Sequence, residues 1–234
     1  LMGDLRWRFG EEGLPPVLTP EETQEYKELL SRDDVDAVYI GTNKVYPSTH
    51  DYSKDYFTFT AIDSGTFTFV GDDLSYSLDN GSTWSTLTNG NSTPTVSANS
   101  NILWKASLSS TTSTTGIGHF SSSGRFNIEG NTMSLLYGDD FSNQTSLNDI
   151  IYTYSGMFSG NTNVVSAENM ILPATIAKQR CYASMFSGCT SLTTAPLILP
   201  ATTLEGGCCY TMFYGCTSLT TAPQIVATTT AANG

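Results

Sequence analysis

Residues Met185 to Pro196 read MFSGCTSLTTAP, and Met212 to Pro223 read MFYGCTSLTTAP, the same block 27 positions further on. A fainter copy begins at Met157-Phe158-Ser159-Gly160. Cys181 and Cys208, Cys189 and Cys216, and Pro173 and Pro200 all keep the spacing of 27. A fixed period of about 20–50 residues means one supersecondary unit stacked on copies of itself. A solenoid of that kind builds an extended surface rather than a buried catalytic pocket, so the block predicts a scaffold or a binder. After Val226 the pattern degenerates into a Thr/Ala run. Such a run caps an open solenoid end poorly, so the expectation is that more chain or a partner covers it.

Composition agrees with a β-rich surface protein. The 234 residues are 39% hydrophobic and only 14% charged, and Ser, Thr, Asn and Gly fill the balance, as strands and turns require. A net charge of −12 repels phosphate backbones and argues against nucleic-acid binding. Twelve of the 22 acidic residues precede residue 56, where they read as a solvated face. No apolar run reaches the ~18 residues of a membrane span, and Asp4, Arg6 and Arg8 interrupt any signal-like core.

Outward from the repeats, the fold class reads as mainly β in four parts. Residues 1–54 hold an irregular arm around Trp7, a helix and a hairpin. The helix starts at Thr19-Pro20-Glu21-Glu22, a cap, a first-turn proline and a capping box, and runs to about Ser31. The hairpin joins Val38-Tyr39-Ile40 to Lys44-Val45-Tyr46. Residues 55–137 read as an antiparallel β-sandwich or jelly-roll-like domain. Phe57-Thr58-Phe59-Thr60 and Thr66-Phe67-Thr68-Phe69 alternate cleanly, and further strands are expected near 73–78, 83–87, 93–97, 101–107, 117–121, 125–129 and 132–137. The Ser/Thr stretch Ser109 to Thr115 is a loop, 138–156 a junction, and 157–234 the repeats, the last incomplete.

Ser77 to Trp84 (SLDNGSTW) matches the Asp-box pattern, S-x-D-x-G-x-T-W. Asp79 and Gly81 make its tight turn and Trp84 packs beneath. It occurs once, so it reads as a structural hairpin and not as a propeller enzyme. His50 and His119 stand near no nucleophile elbow or metalloprotease pair, and no catalytic residue is assigned. Asp72-Asp73 and Asp139-Asp140 are solvated turn acids or, alternatively, calcium ligands. The five cysteines lie between 181 and 216. Their period favours a ladder of buried thiols, with disulfides and zinc as the alternatives; no metal or cofactor site is assigned. Tyr182, Tyr210 and Tyr214 flank the Met-Phe blocks. They are either a saccharide-stacking face or rings packed between layers.

The run from Cys181 to Pro196, C-Y-x-x-M-F-x-G-C-T-S-L-T-T-A-P, resembles the BspA-type leucine-rich repeat. Its second copy starts at Cys209-Tyr210 and is one residue shorter before Met212. That family is found in surface proteins of gut Bacteroidales and in the tailed phages that infect them, and the resemblance covers about 157–226. It implies adhesion or display and no catalysis. The expectation is a non-enzymatic virion protein, a head or tail fibre or a capsid decoration, on the virion surface. Residues 1–54 would bind other virion proteins and the rest would project toward a host-surface glycan. A homotrimer follows by analogy with fibres. The alternative is a secreted bacterial cell-surface adhesin.

Overall fold

In a computed structural model of the chain, the described residues are 37–40, 44–47, 50–107 and 116–230. The expected arm and helix, the loop from Ser109 to Thr115 and the final residues 231–234 lie outside them. The chain divides into two compact units, Leu1–Asp51 and Tyr52–Gly234. In the first, β1 (Ala37–Ile40) and β2 (Lys44–Pro47) pair antiparallel, with Ile40 opposite Lys44, as a hairpin.

The second unit is mainly β. Eight strands form its larger part: β3 (Phe57–Ala61), β4 (Phe67–Gly71), β5 (Leu74–Ser77), β6 (Ser85–Leu87), β7 (Asn101–Lys105), β8 (Gly118–Ser122), β9 (Phe126–Asn131) and β10 (Val164–Ile171). Six of them make one sheet in the order β10-β9-β3-β7-β5-β6, while β4 and β8 pair separately. The sheet is mixed, because β10 runs parallel to β9 whereas the other pairs are antiparallel. Alternation places Phe57 and Phe59 of β3 and Phe67 and Phe69 of β4 in the interior. Their rings meet Trp104 and Phe120, with Phe59 centred 4.9 Å from Phe120 and Phe69 4.5 Å from it. Burying each ring contributes about 1.5–3 kcal/mol.

Two expected strands are not formed. Residues 93–97 make only one isolated bridge, Gly65 to Val96, with another just before them from Thr68 to Ser92, because Pro94 cannot donate to a ladder. Residues 132–137 turn into a short helix, α1 (Ser134–Tyr137). Its apolar run is buried on every side, so periodicity could not separate helix from strand. Ser134 decides it: its hydroxyl donates to the Trp104 carbonyl at 2.8 Å and accepts the Phe57 amide at 3.0 Å.

The repeats lie on this sheet as three layers of consecutive turns, built by 150–161, 178–189 and 205–216. Along each ribbon, alternate N–H groups serve two directions. Those of Cys181, Ala183, Met185 and Ser187 close local turns onto the carbonyls three residues back. Those of Tyr182, Ser184, Phe186 and Gly188 donate to the next layer, to the carbonyls of Cys208, Tyr210, Met212 and Tyr214. Each ribbon bends through a left-handed residue at every fourth position: Tyr152, Gly156 and Gly160, then Arg180, Ser184 and Gly188, then Gly207, Thr211 and Gly215. Between ribbons, the returning chain forms parallel ladders. One joins β11 (Ile176–Ala177), β13 (Thr203–Leu204) and β15 (Thr229–Thr230); another joins β12 (Ile198–Leu199) to β14 (Gln224–Ile225).

One core runs through sheet and repeats. Phe120 of β8 stacks on Phe158 at 5.8 Å, Phe158 on Phe186 at 5.4 Å and Phe186 on Phe213 at 5.6 Å, the planes within 18° throughout. Phe120 donates its N–H to Met157 as Phe158 does to Met185, so β8 covers the first layer in the register of a further one. Residues 138–156, read as a junction, supply Phe141, Leu147, Ile150 and Tyr154 to the same core. The boundary expected there is therefore absent from the packing: the repeats have no separate interior.

Candidate functional site

The Asp-box turn closes on itself. Asp79 accepts from the Ser77 hydroxyl (2.7 Å), the Thr83 amide (2.8 Å) and the Thr83 hydroxyl (2.7 Å), and the Ser77 oxygen also accepts the Gly81 amide at 2.8 Å. The Trp84 indole donates to the Gly81 carbonyl at 3.1 Å. Trp84 then covers Lys105, whose ammonium lies 4.1 Å from the ring centre, and meets Tyr56 edge-on at 5.0 Å. Ser77, Asp79, Thr83 and Trp84 thus bond within their own loop, while Asn80 and Ser82 are exposed.

Bonds from Thr83 foremost, then Ser77, hold the Asp79 carboxyl down to about 2 in the folded chain. A folded pKa below the unfolded value stabilises above the unfolded value, near 3.8, and that contribution is lost as pH falls through about 2. Asp79→Asn is therefore expected to lower the melting temperature at pH 6, with the gap to the parent chain shrinking by pH 2. Calorimetric melts at both pH values check it, and a gap that does not change with pH would refute the assignment.

The aromatic candidates separate. Tyr210 and Tyr214 are 61% and 74% exposed, whereas Tyr182 is 2% exposed and stacks on Tyr154 at 6.1 Å with parallel planes. Tyr182 is thus a core residue and no part of an exposed face. The reason is register. The bond from Tyr182 N–H to the Cys208 carbonyl and the stacking of Phe186 on Phe213 set Tyr182 over Cys209, and Ala183 over Tyr210. Matching Cys181-Tyr182 to Cys209-Tyr210 slips the copies by one residue; matching the Met-Phe pairs does not.

The residue that sequence reasoning overlooked is Arg180. Its guanidinium lies 5.4 Å from the Tyr210 ring centre and 5.9 Å from that of Tyr152, a cation of the second layer near rings of the first and third. Beside it Lys178 bridges Asp149 at 2.6 Å and Glu205 at 3.3 Å. The Asp149 partner raises the Lys178 ammonium and is itself held low by it. The only advance signal was the layer period, which carries Tyr152 onto Arg180. The row Tyr152, Arg180, Tyr210, with Tyr214 beyond, offers aromatic faces and a fixed cation on the outside of the layers.

The remaining candidates make structural hydrogen bonds, are buried, or lie exposed. His119 donates from Nδ1 to the Gly156 carbonyl at 3.0 Å, tying β8 to the first layer; His50 is exposed. Asp73 accepts the Asn89 amide, and Asp139 accepts Tyr56 and Lys105. Tyr56 is pushed up to about 12, by burial first and then by Asp139. All five cysteines are free thiols. Cys189 donates to the Phe158 carbonyl and Cys216 to the Phe186 carbonyl, at 3.1 and 3.0 Å. Burial pushes Cys189 up to about 12 and raises Cys181 and Cys216. Adjacent Cys208 and Cys209 have sulfurs 3.6 Å apart. Among the described residues no cluster of His, Cys, Asp or Glu is placed to hold a metal ion, and no helix is long and apolar enough to cross a membrane.

The chain matches no protein-family model, and no curated protein or solved structure is significantly similar to it.

Proposed function

We propose that this chain is a non-enzymatic structural protein of a tailed-phage virion, a head or tail fibre or a capsid decoration protein, that displays a surface for host or glycan attachment. The observation that carries this reading is the exposed Arg180 and Tyr210, stacked with half-buried Tyr152, and the exposed Tyr214 further along the third layer. Planar rings stack on the apolar faces of sugars, and a guanidinium already held by two rings lends its donors to hydroxyls at little entropic cost. In this reading the layers begin a leucine-rich-repeat solenoid of the BspA type, projecting from the sheet that covers their first layer. The separate unit Leu1–Asp51 serves as the segment that binds other virion proteins. Assembly as a homotrimer rests on analogy with fibres, and the net charge of −12 disfavours nucleic acid.

Immunogold electron microscopy with antibody against residues 56–137, on infected and uninfected gut Bacteroidales cultures, tests the location. Gold on capsids or tails supports the proposal; gold on envelopes of uninfected cells replaces it with a bacterial surface adhesin. For the attachment surface, the double change Tyr210→Ala and Tyr214→Ala is expected to weaken binding to host cells or their glycans by about tenfold or more. Both rings are largely solvent-exposed, so folding should survive. Binding that is unchanged while the melting temperature stays put would remove these residues from the site.

A further inference from the structure

After Arg125 the sequence holds two cationic side chains, Lys178 and Arg180, and both stand in the middle repeat layer. They differ in what they meet. Lys178 is neutralised by Asp149 at 2.6 Å and Glu205 at 3.3 Å. The other oxygen of Glu205 accepts the Gln179 amide at 3.1 Å, so both carboxylates are committed. Arg180 pairs with no carboxylate among the described residues and has the Tyr210 and Tyr152 rings beside it instead. It is exposed although a layer lies on either side of it. Its backbone is also unusual. Tyr152 and Arg180 hold left-handed φ values of +58 and +53, in the column that Gly207 fills in the third layer. Glycine makes that bend without strain, so the bend itself does not call for an arginine. Gly207 leaves room for one: a Cβ there would lie 3.4 Å from Arg180 Cγ and 3.8 Å from its Nε.

We infer that Arg180 binds the carboxylate of an acidic sugar, a uronic or sialic acid residue, whose C–H face rests on Tyr210. The inference rests on the glycan-attachment reading of this face and names the class of glycan. A neutral sugar asks only for hydroxyl partners, which Ser, Thr and Asn supply without charge. A guanidinium presents its N–H donors as a planar fork, and a carboxylate meets that fork with two parallel bonds. A carboxylate of the chain itself would have closed it, as Asp149 and Glu205 close on Lys178. The neighbouring rings restrain the side chain, so less rotamer freedom is lost when a ligand arrives. The net charge of −12 is a weak obstacle, because exposed charges more than about 8 Å away are largely screened at physiological salt. The four charged side chains at the site, Asp149, Lys178, Arg180 and Glu205, sum to zero.

The test is titration calorimetry of the full chain with trigalacturonic acid and with sialyllactose, each also after reduction of its carboxyl to the alcohol. At least one carboxylated probe is expected to bind about tenfold or more tighter than its reduced form, and which one does so tells a uronate from a sialate. Arg180→Gln should remove that preference while leaving the affinity for the reduced form and the melting temperature in place. Arg180→Lys keeps the charge without the fork and should retain only part of the preference; it keeps the test valid if the glutamine variant perturbs folding. An arginine that merely supports the bend would not move carboxylated and reduced probes apart. Equal binding of the two forms, lost together in Tyr210→Ala, overturns the acidic class and leaves the glycan surface standing. A carboxylate preference that survives Arg180→Gln puts the anion elsewhere and overturns the assignment. So does the absence of binding by every probe at about 5 mM; the attachment surface is then judged separately, by host-cell binding of the Tyr210→Ala and Tyr214→Ala double variant.

Discussion

Phe158→Ala is expected to cost about 3–5 kcal/mol and to do so in one transition in which the sheet and the repeat layers melt together. Phe158 is fully buried and touches both halves of the second unit. It stacks on Phe186 of the next layer, while Phe57, Phe59 and Phe126 of the sheet and Phe120 of β8 lie with ring centres 5.7–6.3 Å from it. Truncation removes the one ring common to both stacks, and rings fixed by strand and ribbon backbones cannot collapse into the void. Denaturant unfolding reports on the sheet through tryptophan fluorescence, Trp104 being its buried indole. The layers report through the reactivity of Cys189, whose thiol is buried and raised to about 12. Coincident midpoints, shifted equally by the substitution, are the expected result. Cys189 becoming reactive while the tryptophan signal stays native would mean that the repeats fold apart from the sheet.

That coupling marks the limit of what could be read from the residues alone. The twelve-residue block announced the period, and the alternating Phe/Thr runs announced β3 and β4, because both signals are local. The contact that joins the two regions is carried by Phe120, in a strand with no repeat motif of its own. Only the stacking of Phe120 on Phe158 shows that β8 stands in the register of a layer. The same gap explains Tyr182. Two Cys-Tyr pairs suggested equivalence, but backbone bonds between layers fix register, and they set Tyr182 over Cys209. The left-handed position at every fourth residue was hidden for another reason. Glycine fills it consistently only at 160, 188 and 215, while Tyr152, Arg180, Ser184 and Thr211 hold the same conformation under tertiary constraint. At the candidate site, Tyr210 and Tyr214 were legible as exposed rings beside a repeat. Arg180 was not, since its partners Tyr152 and Tyr210 are separated from it by 28 and 30 residues.

Gly130→Ala is expected to cost about 3 kcal/mol or more, the sum of a left-handed backbone imposed on alanine and a clash that nothing can relieve. Gly130 sits in β9 at φ +74, and a Cβ there would collide with the Tyr56 carbonyl oxygen and lie 2.9 Å from its carbon. Those are backbone atoms, and several bonds hold them. The next residue, Asn131, donates its amide to the Asp55 carbonyl and its side chain to the Ser53 carbonyl, while its own oxygen accepts the Met133 amide. On the other side Gly130 pairs with Met170 of β10, so β9 cannot move away without opening the parallel ladder that leads into the repeats. Gly90→Ala separates the two contributions. Gly90 has nearly the same φ, +76, but an added Cβ meets nothing within 4 Å, so only the conformational cost of about 1–2 kcal/mol applies. Equilibrium unfolding of the two variants should therefore differ by about 1–3 kcal/mol. Equal losses would mean that β9 does not approach Tyr56 so closely. The entry of the chain at Tyr56 and the start of the repeats at β10 would then no longer be locked together through one glycine.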